Sequence, residues 1–165
     1  SIASQEREGT AVYVSLPFKI PGTKQQEQSC QDVPKEPDTK AKKVLLAEDD
    51  EASVLHITRL LEKHGFEVQV AENGEQALHE LARDSYDCIL MDVQMPVLDG
   101  VEAAKRIRAS NASFKDIPII ALTAYAMNGD RQKFLHAGMD DYLPKPVSKE
   151  ELLEVLRRNL FHSKD

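Results

Sequence analysis

No run of apolar residues in this chain approaches the length of a bilayer span, and no leader-like pattern of basic, apolar and small residues opens it. The expectation is a cytoplasmic domain without direct membrane contact, whatever anchors a larger parent. A basic surplus is also missing: 21 Lys and Arg stand against 28 Asp and Glu, a net charge of −7. Nucleic acid and anionic membranes are therefore poor partners. There are only two cysteines, Cys30 in polar sequence and Cys88 in an apolar run, too few and too far apart for a disulfide framework. Cys88 reads as a small buried hydrophobe in a reducing compartment. No internal repeat is visible. What is present is a chain of 165 residues, 41% hydrophobic and 30% charged, enough for one ordinary domain with a core and some sequence besides.

Composition changes along the chain. Residues 10–16 form one strand-like run ending at Pro17, whereas residues 21–41 are rich in Pro, Gln and Lys and nearly empty of large apolar side chains, as a linker is. From Lys42 the pattern becomes periodic. Residues 44–47 are a short apolar run; Val54, Ile57, Leu60, Leu61 and His64 recur at helical spacing, with Gly65 as a stop. Phe66, Val68 and Val70 alternate as a strand, and Asn73 with Gln76 resembles a capping box. Residues 86–91, 117–122 and 142–143 read as three more strands. Helices are expected after Asp99, around residues 128–137 and after Ser148. Five strands alternating with five helices imply a parallel α/β sheet covered on both faces. The division is thus residues 1–20, a linker over 21–41 and a domain over 42–163.

Ionisable residues close the apolar runs. Glu48, Asp49 and Asp50 follow the first strand and Asp92 ends the third, while Thr123 and Lys145 follow the fourth and fifth. In an open parallel sheet those positions share the rim where ligands bind. Each has an ordinary explanation: Asp50 as a helix cap, Thr123 as a turn hydroxyl, Lys145 as a solvated loop lysine. Their joint placement argues for a site. Two carboxylates about 4 Å apart repel by roughly 4 kcal/mol at an effective dielectric near 20, which calls for a cation or a proton. Mg²⁺ suits hard oxygen ligands and phosphate. Asp92 would then be a carboxylate nucleophile for a phosphoryl group, Lys145 a point charge for one phosphoryl oxygen and Thr123 a hydroxyl donor to another.

Residues 43–162 resemble a response-regulator receiver domain. The resemblance rests on residues 44–51 (VLLAEDDE), 91–100 (MDVQMPVLDG), 121–124 (ALTA) and 143–146 (LPKP). It implies a flavodoxin-like strand order of 2-1-3-4-5 and phosphorylation of Asp92 from a phosphohistidine. It also implies Mg²⁺ held by Asp49, Asp92 and the backbone carbonyl of Gln94, with Glu48 acting through water. Tyr142 would be the aromatic whose rotamer follows Thr123, so that the face of the fourth helix, fifth strand and fifth helix switches on phosphorylation. Residues 8–18 (EGTAVYVSLPF) resemble the last strand of a histidine-kinase ATP-binding domain, whose nucleotide-binding boxes do not occur here. The expected parent is a hybrid sensor histidine kinase. The donor would be a phosphohistidine on the kinase dimerisation helices, and the onward acceptor a histidine phosphotransfer domain.

Three other classes fit less well. A flavin- or nucleotide-binding module of this topology needs a Gly-, Ser- or Thr-rich loop after strand one, where this chain has four acidic residues, Glu48 to Glu51. An aspartyl phosphatase carries Asp-x-Asp after its first strand, whereas Asp92 is isolated and follows the third. A receiver-like interaction module that is not phosphorylated would be expected to lack an acidic residue, Thr123 or Lys145, and all are present.

Overall fold

The computed structural model describes residues 2–4, 10–12, 41–124 and 130–161. The chain divides into two units, Ser1–Pro37 and Asp38–Asp165. In the first, β1 (Ile2–Ser4) pairs antiparallel with β2 (Thr10–Val12), Ile2 facing Val12 and Ser4 facing Thr10. The sequence pattern suggests a single strand here with both edges open. Instead Thr10–Val12 takes a partner from the start of its own chain, a run too short to show any periodicity. Residues 13–16, and the expected linker apart from residue 41, lie outside the described residues.

The second unit alternates without exception: β3 (Lys43–Ala47), α1 (Glu51–Lys63), β4 (Glu67–Ala71), α2 (Gly74–Arg83), β5 (Cys88–Asp92), α3 (Gly100–Ala109), β6 (Ile119–Thr123), α4 (Asp130–His136), β7 (Asp141–Pro144) and α5 (Lys149–Leu160). The strands lie in the order β4-β3-β5-β6-β7 and every neighbouring pair is parallel. Counted from β3 this is the expected 2-1-3-4-5, the flavodoxin-like order. Burial follows position in the sheet. All five residues of central β5 and of β6 are buried, while edge strand β4 alternates exposed and half-buried residues before Ala71.

Two cores sandwich the sheet. Leu45, Ile89, Met91, Ile119 and Ala121 pack against Ala77 and Leu81 of α2, Ala104 and Ile107 of α3, and Phe134 of α4. Val44, Leu46, Leu90, Ile120 and Leu122 face the other way, onto Ile57 and Leu61 of α1 and Leu152, Val155 and Leu156 of α5. The helices start where short polar side chains satisfy free amides. Asp50, Asn73, Asp99 and Ser148 accept from the backbone N–H of Ser53, Gln76, Glu102 and Glu151. The Asn73 box closes one residue early: Gln76 Oε1 accepts from the amide of Glu72, 2.9 Å away. Gly65, at φ +83°, follows the His64 cap as the expected stop of α1.

At the far end of the sheet from the strand termini, Arg108 bolts α3 to its surroundings. It donates to the carbonyls of Gly138 (2.7 Å) and Lys115 (2.5 Å) and to Asp140 Oδ2 (2.8 Å), and that same oxygen accepts from Ile119 N at 2.9 Å. The start of β6 and the approach to β7 are thereby fixed to α3.

Cys88 lies fully buried in β5, and burial pushes its thiol well above the usual range. In the unfolded chain a thiol ionises near pH 8.5. Above that pH the unfolded state releases a proton that the folded state keeps, so stability falls as pH rises. Between pH 7.5 and 9.5 the chain should lose about 1.4 kcal/mol more than Cys88→Ala does, measured from paired urea transitions. Parallel losses in both would remove this role from Cys88.

Candidate functional site at the carboxyl ends of the strands

Because the five strands run parallel, their carboxyl ends meet on one edge of the fold. Chain order reverses between β3 and β5, since β4 lies on one side of β3 and β5 on the other. Glu48 and Asp49 leave β3 at this reversal and Asp92 ends β5 beside them. Main-chain hydrogen bonds carry the strand pairing into the rim: Glu48 N to Ala71 O (2.9 Å), Val93 N to Leu122 O (3.0 Å) and Lys145 N to Thr123 O (2.8 Å).

Among the described residues the buried polar side chains are Glu48, Asp92 and Thr123, each at a strand terminus on this rim. Lys145 reaches across to two of them, its Nζ lying 2.7 Å from Asp92 Oδ2 and 2.6 Å from Glu48 Oε2. The ammonium offsets part of the negative charge gathered at the rim. Burial opposes the charged ammonium of Lys145, but the attraction of Asp92 and Glu48 outweighs it and holds the group above the usual lysine value. Burial raises Glu48, with Lys145 pulling the other way and the charge of Asp92 adding to the rise.

Each remaining carboxylate oxygen has a defined setting. Asp92 Oδ1 accepts from Gln94 N at 3.2 Å and Glu48 Oε1 from Asp50 N at 3.3 Å. Glu48 Oε2, fully buried, is met by the Lys145 ammonium. Glu48, the exposed Asp49 and Asp92 each place an oxygen within 4.8 Å of the others. Three hard oxygen donors gathered this closely, two of them on buried side chains, match what a small divalent cation takes.

The site residues read from the sequence are therefore brought together, except Tyr142. It sits on β7 opposite Ala121 and packs half-buried on the core beneath α2, α3 and α4, apart from the carboxylates. A cleft of about 580 Å³ opens from Asp92, Gln94, Thr123 and Lys145 toward Val101 of α3 and Phe134 of α4. Those apolar walls were not foreseen, because Val101 and Phe134 carry the ordinary periodicity of buried helix faces.

Gly100 was also missed as a site residue. A Cβ there would lie 2.0 Å from the carbonyl oxygen of Asp92 and 2.9 Å from Met91 Cγ, so the start of α3 rests directly on the end of β5. The Gly100 amide donates to Val93 O at 3.2 Å and closes the β5–α3 loop. The Asp-Gly pair at 99–100 was a visible signal, but it reads equally well as an ordinary helix start.

The family model for the response regulator receiver domain matches residues 44–157. The chain belongs to this family, the receiver domains of two-component phosphorelay signalling. It is 48% identical over 124 residues to the hybrid signal transduction histidine kinase I of Dictyostelium discoideum, a match covering 72% of this chain and 7% of that protein. The sensor protein GacS of Pseudomonas syringae pv. syringae is 42% identical over 120 residues, again 72% of this chain and 13% of the relative. The chain thus spans only a small fraction of the length of these two relatives. Among solved structures it is similar to the receiver domain of sensor histidine kinase PA1611 from Pseudomonas aeruginosa PAO1, which has a magnesium ion coordinated in its active site cleft. That match has 41% identity and a TM-score of 0.69, over 74% of this chain and all of the other. The Saccharomyces cerevisiae co-crystal of the histidine phosphotransfer protein Ypd1 with the receiver domain of Ssk1 gives 32% identity and a TM-score of 0.67, over 73% and 90%.

Gly100→Ala should lower stability by about 1–3 kcal/mol, the usual cost of forcing a methyl group into packed structure. The urea midpoint would report the loss, and amide shifts of Met91, Asp92 and Val93 would report the displaced strand end. An unchanged midpoint with unchanged shifts would show that α3 can slide away without cost.

Proposed function

We propose that Asp92 accepts a phosphoryl group from a phosphohistidine, with Mg²⁺ bound by Asp49, Asp92 and the Gln94 carbonyl and with Glu48 acting through water. The observation that supports this most is the clustering of the buried polar side chains Glu48, Asp92 and Thr123 at one rim, with the Lys145 ammonium against two of them. Mg²⁺ there would neutralise charge on the phosphoryl oxygens that the acidic rim would otherwise repel.

The chain's own groups supply the rest. A carboxylate oxygen of Asp92 forms the new bond to phosphorus as the P–N bond to imidazole breaks, and the electron pair leaves with the ring. Gln94 N–H holds Oδ1 and so orients the carboxylate. Lys145, already among the reacting oxygens, transfers its ammonium from the carboxylates to a phosphoryl oxygen. Thr123, buried beside the cleft, donates its hydroxyl to another. Movement of Thr123 toward the phosphoryl group opens room beside Ala121 and Leu122 that Tyr142 can take, carrying the change to the face of α4, β7 and α5.

The wider setting is part of the same proposal. The receiver is a piece of a hybrid sensor histidine kinase, with residues 1–20 the terminal strand region of its ATP-binding domain and residues 21–41 a linker. Its donor is a histidine on the kinase dimerisation helices, and a histidine phosphotransfer domain exchanges phosphate with it. The likeness to hybrid kinases and to a receiver solved with Ypd1 supports this. Among the described residues no helix is long and apolar enough to cross a membrane.

Acetyl phosphate with Mg²⁺ should add one acid-labile phosphoryl group, read by intact mass. Asp92→Asn or EDTA should abolish the addition, and Lys145→Ala should slow it on the order of 100-fold. Phosphorylation persisting in Asp92→Asn would place the acceptor elsewhere. For the switch, beryllofluoride with Mg²⁺ should alter amide exchange in Thr123, α4 and β7. Identical exchange with and without it would leave Asp92 as an acceptor that does not move this face.

A further inference from the structure

The cleft beside Asp92 carries a charge balance opposite to that of the chain. Lys and Arg number 21 against 28 Asp and Glu overall. Among the described residues, the lining of the cleft instead holds Lys105, Lys133, Lys145 and His136 against one acid, Asp92. Lys145 is committed to that acid and to Glu48, its Nζ lying 2.7 and 2.6 Å from them. The other three basic side chains come from α3 and α4.

Position along the helices separates those three from the phosphoacceptor. Gly100 rests α3 on the end of β5, and Val101 follows it at the mouth of the cleft. Lys105 lies one turn beyond Val101 on the same helix face, about 6 Å further along the axis. The fourth helix descends in the same sense. It begins at Asp130 after β6, and His136 ends it four residues before Asp140, whose amide donates to Ile119 O at the start of β6. Lys133, three residues before His136, shares its face. Val101, Phe134 and Ala137 add apolar wall.

The ammonium of Lys105 is open to a ligand. It meets Glu102 Oε2 at 3.8 Å with both side chains about half exposed, and Glu102 is shared with Arg106 at 3.5 Å. Exposed pairs of this kind contribute little. The volume, about 580 Å³, falls within the roughly 300–1,000 Å³ of small-molecule sites, which set a few fixed polar groups in apolar walls.

We propose that the cleft between α3 and α4 binds a small organic carboxylate with an apolar body, its anion on Lys105 and the basic residues of α4, and that its occupation hinders phosphorylation of Asp92. A carboxylate accepts from ammonium and imidazole N–H groups together. Its body then lies along a cleft that Thr123, Lys145 and Asp92 also line, in the way of a phosphoryl donor. The hindrance rests on Asp92 being the phosphoacceptor; the binding does not.

The test uses the full chain with 2-naphthoate as probe and 2-naphthamide, its uncharged analogue of similar shape, as control. 2-Naphthoate should shift the amide resonances of Val101, Lys105, Phe134 and Ala137 saturably, and 2-naphthamide should bind about tenfold more weakly. Lys105→Glu should weaken 2-naphthoate about tenfold and bring it level with the amide. Val101→Phe, which fills the cleft from a half-buried position, should weaken both probes. With acetyl phosphate and Mg²⁺, saturating 2-naphthoate should slow labelling of the parent about fivefold or more, and bound beryllofluoride should weaken the probe by a similar factor. Equal binding of the two probes, or unaltered 2-naphthoate binding in Lys105→Glu, would overturn the anion seat. Val101→Phe without effect on either probe would remove the site from the cleft. Labelling at full rate under saturating 2-naphthoate would overturn the hindrance. Failure of the parent to react with acetyl phosphate in the absence of probe would instead strike at Asp92 as acceptor, and the titrations alone would then decide the carboxylate site.

Discussion

Everything at the rim depends on keeping acidic side chains together inside a protein. Glu48 and Asp92 are nearly or wholly out of water, and each would repel the other strongly at that separation. The fold holds them with one ammonium. Lys145 Nζ lies between the two carboxylates, and its backbone is pinned by the hydrogen bond to Thr123 O that continues the pairing of β6 and β7. In the proposed reaction, the charge that stabilises the rim at rest is the same one that would meet an incoming phosphoryl oxygen. A lysine, with its flexible stem and compact charge, can serve both states where a rigid guanidinium fork would be tied to one.

The sheet supplies the precision. Asp92 cannot shift along its strand because β5 is buried on both faces between two cores, and Gly100 rests against its carbonyl from above. The β5–α3 loop is held at three further points, by Val93 O, Pro96 O and Gly74 N. Arg108 performs the corresponding task at the opposite end, tying α3 to β6 and to the entry of β7. A site whose backbone is fixed in this way leaves movement to side chains and to the elements around β6, which is what a domain with two signalling states requires.

The site was legible to unequal degrees. Asp92, Glu48 and Lys145 stood out because an ionisable residue at the end of an apolar run contradicts the pattern around it. Thr123 gained weight only through its company, since a hydroxyl after a strand is common. Gly100, Val101 and Phe134 were hidden for the opposite reason: a glycine after an aspartate and apolar residues on helix faces satisfy the local pattern completely. Tyr142 was named through family resemblance, and the structure sets it on the core beside β6. The positive φ of Val97, +67°, lay beyond any reading of the sequence, for valine is unremarkable until its backbone angle is known.

Local chemistry, written residue by residue, determined the elements of this protein: alternating apolar runs, four side-chain caps, and acidic or basic residues at the strand ends. Those properties depend on near neighbours in the chain, so the sequence alone carries them. Tertiary structure decided which of these residues touch. Glu48, Asp92 and Lys145 are separated by dozens of positions and meet only because parallel crossovers bring three strand ends to one edge. It also decided that a lysine of the same chain reaches two of the carboxylates and that Val97 takes a positive φ. The lysine contacts join residues distant in sequence, and no local pattern encodes them.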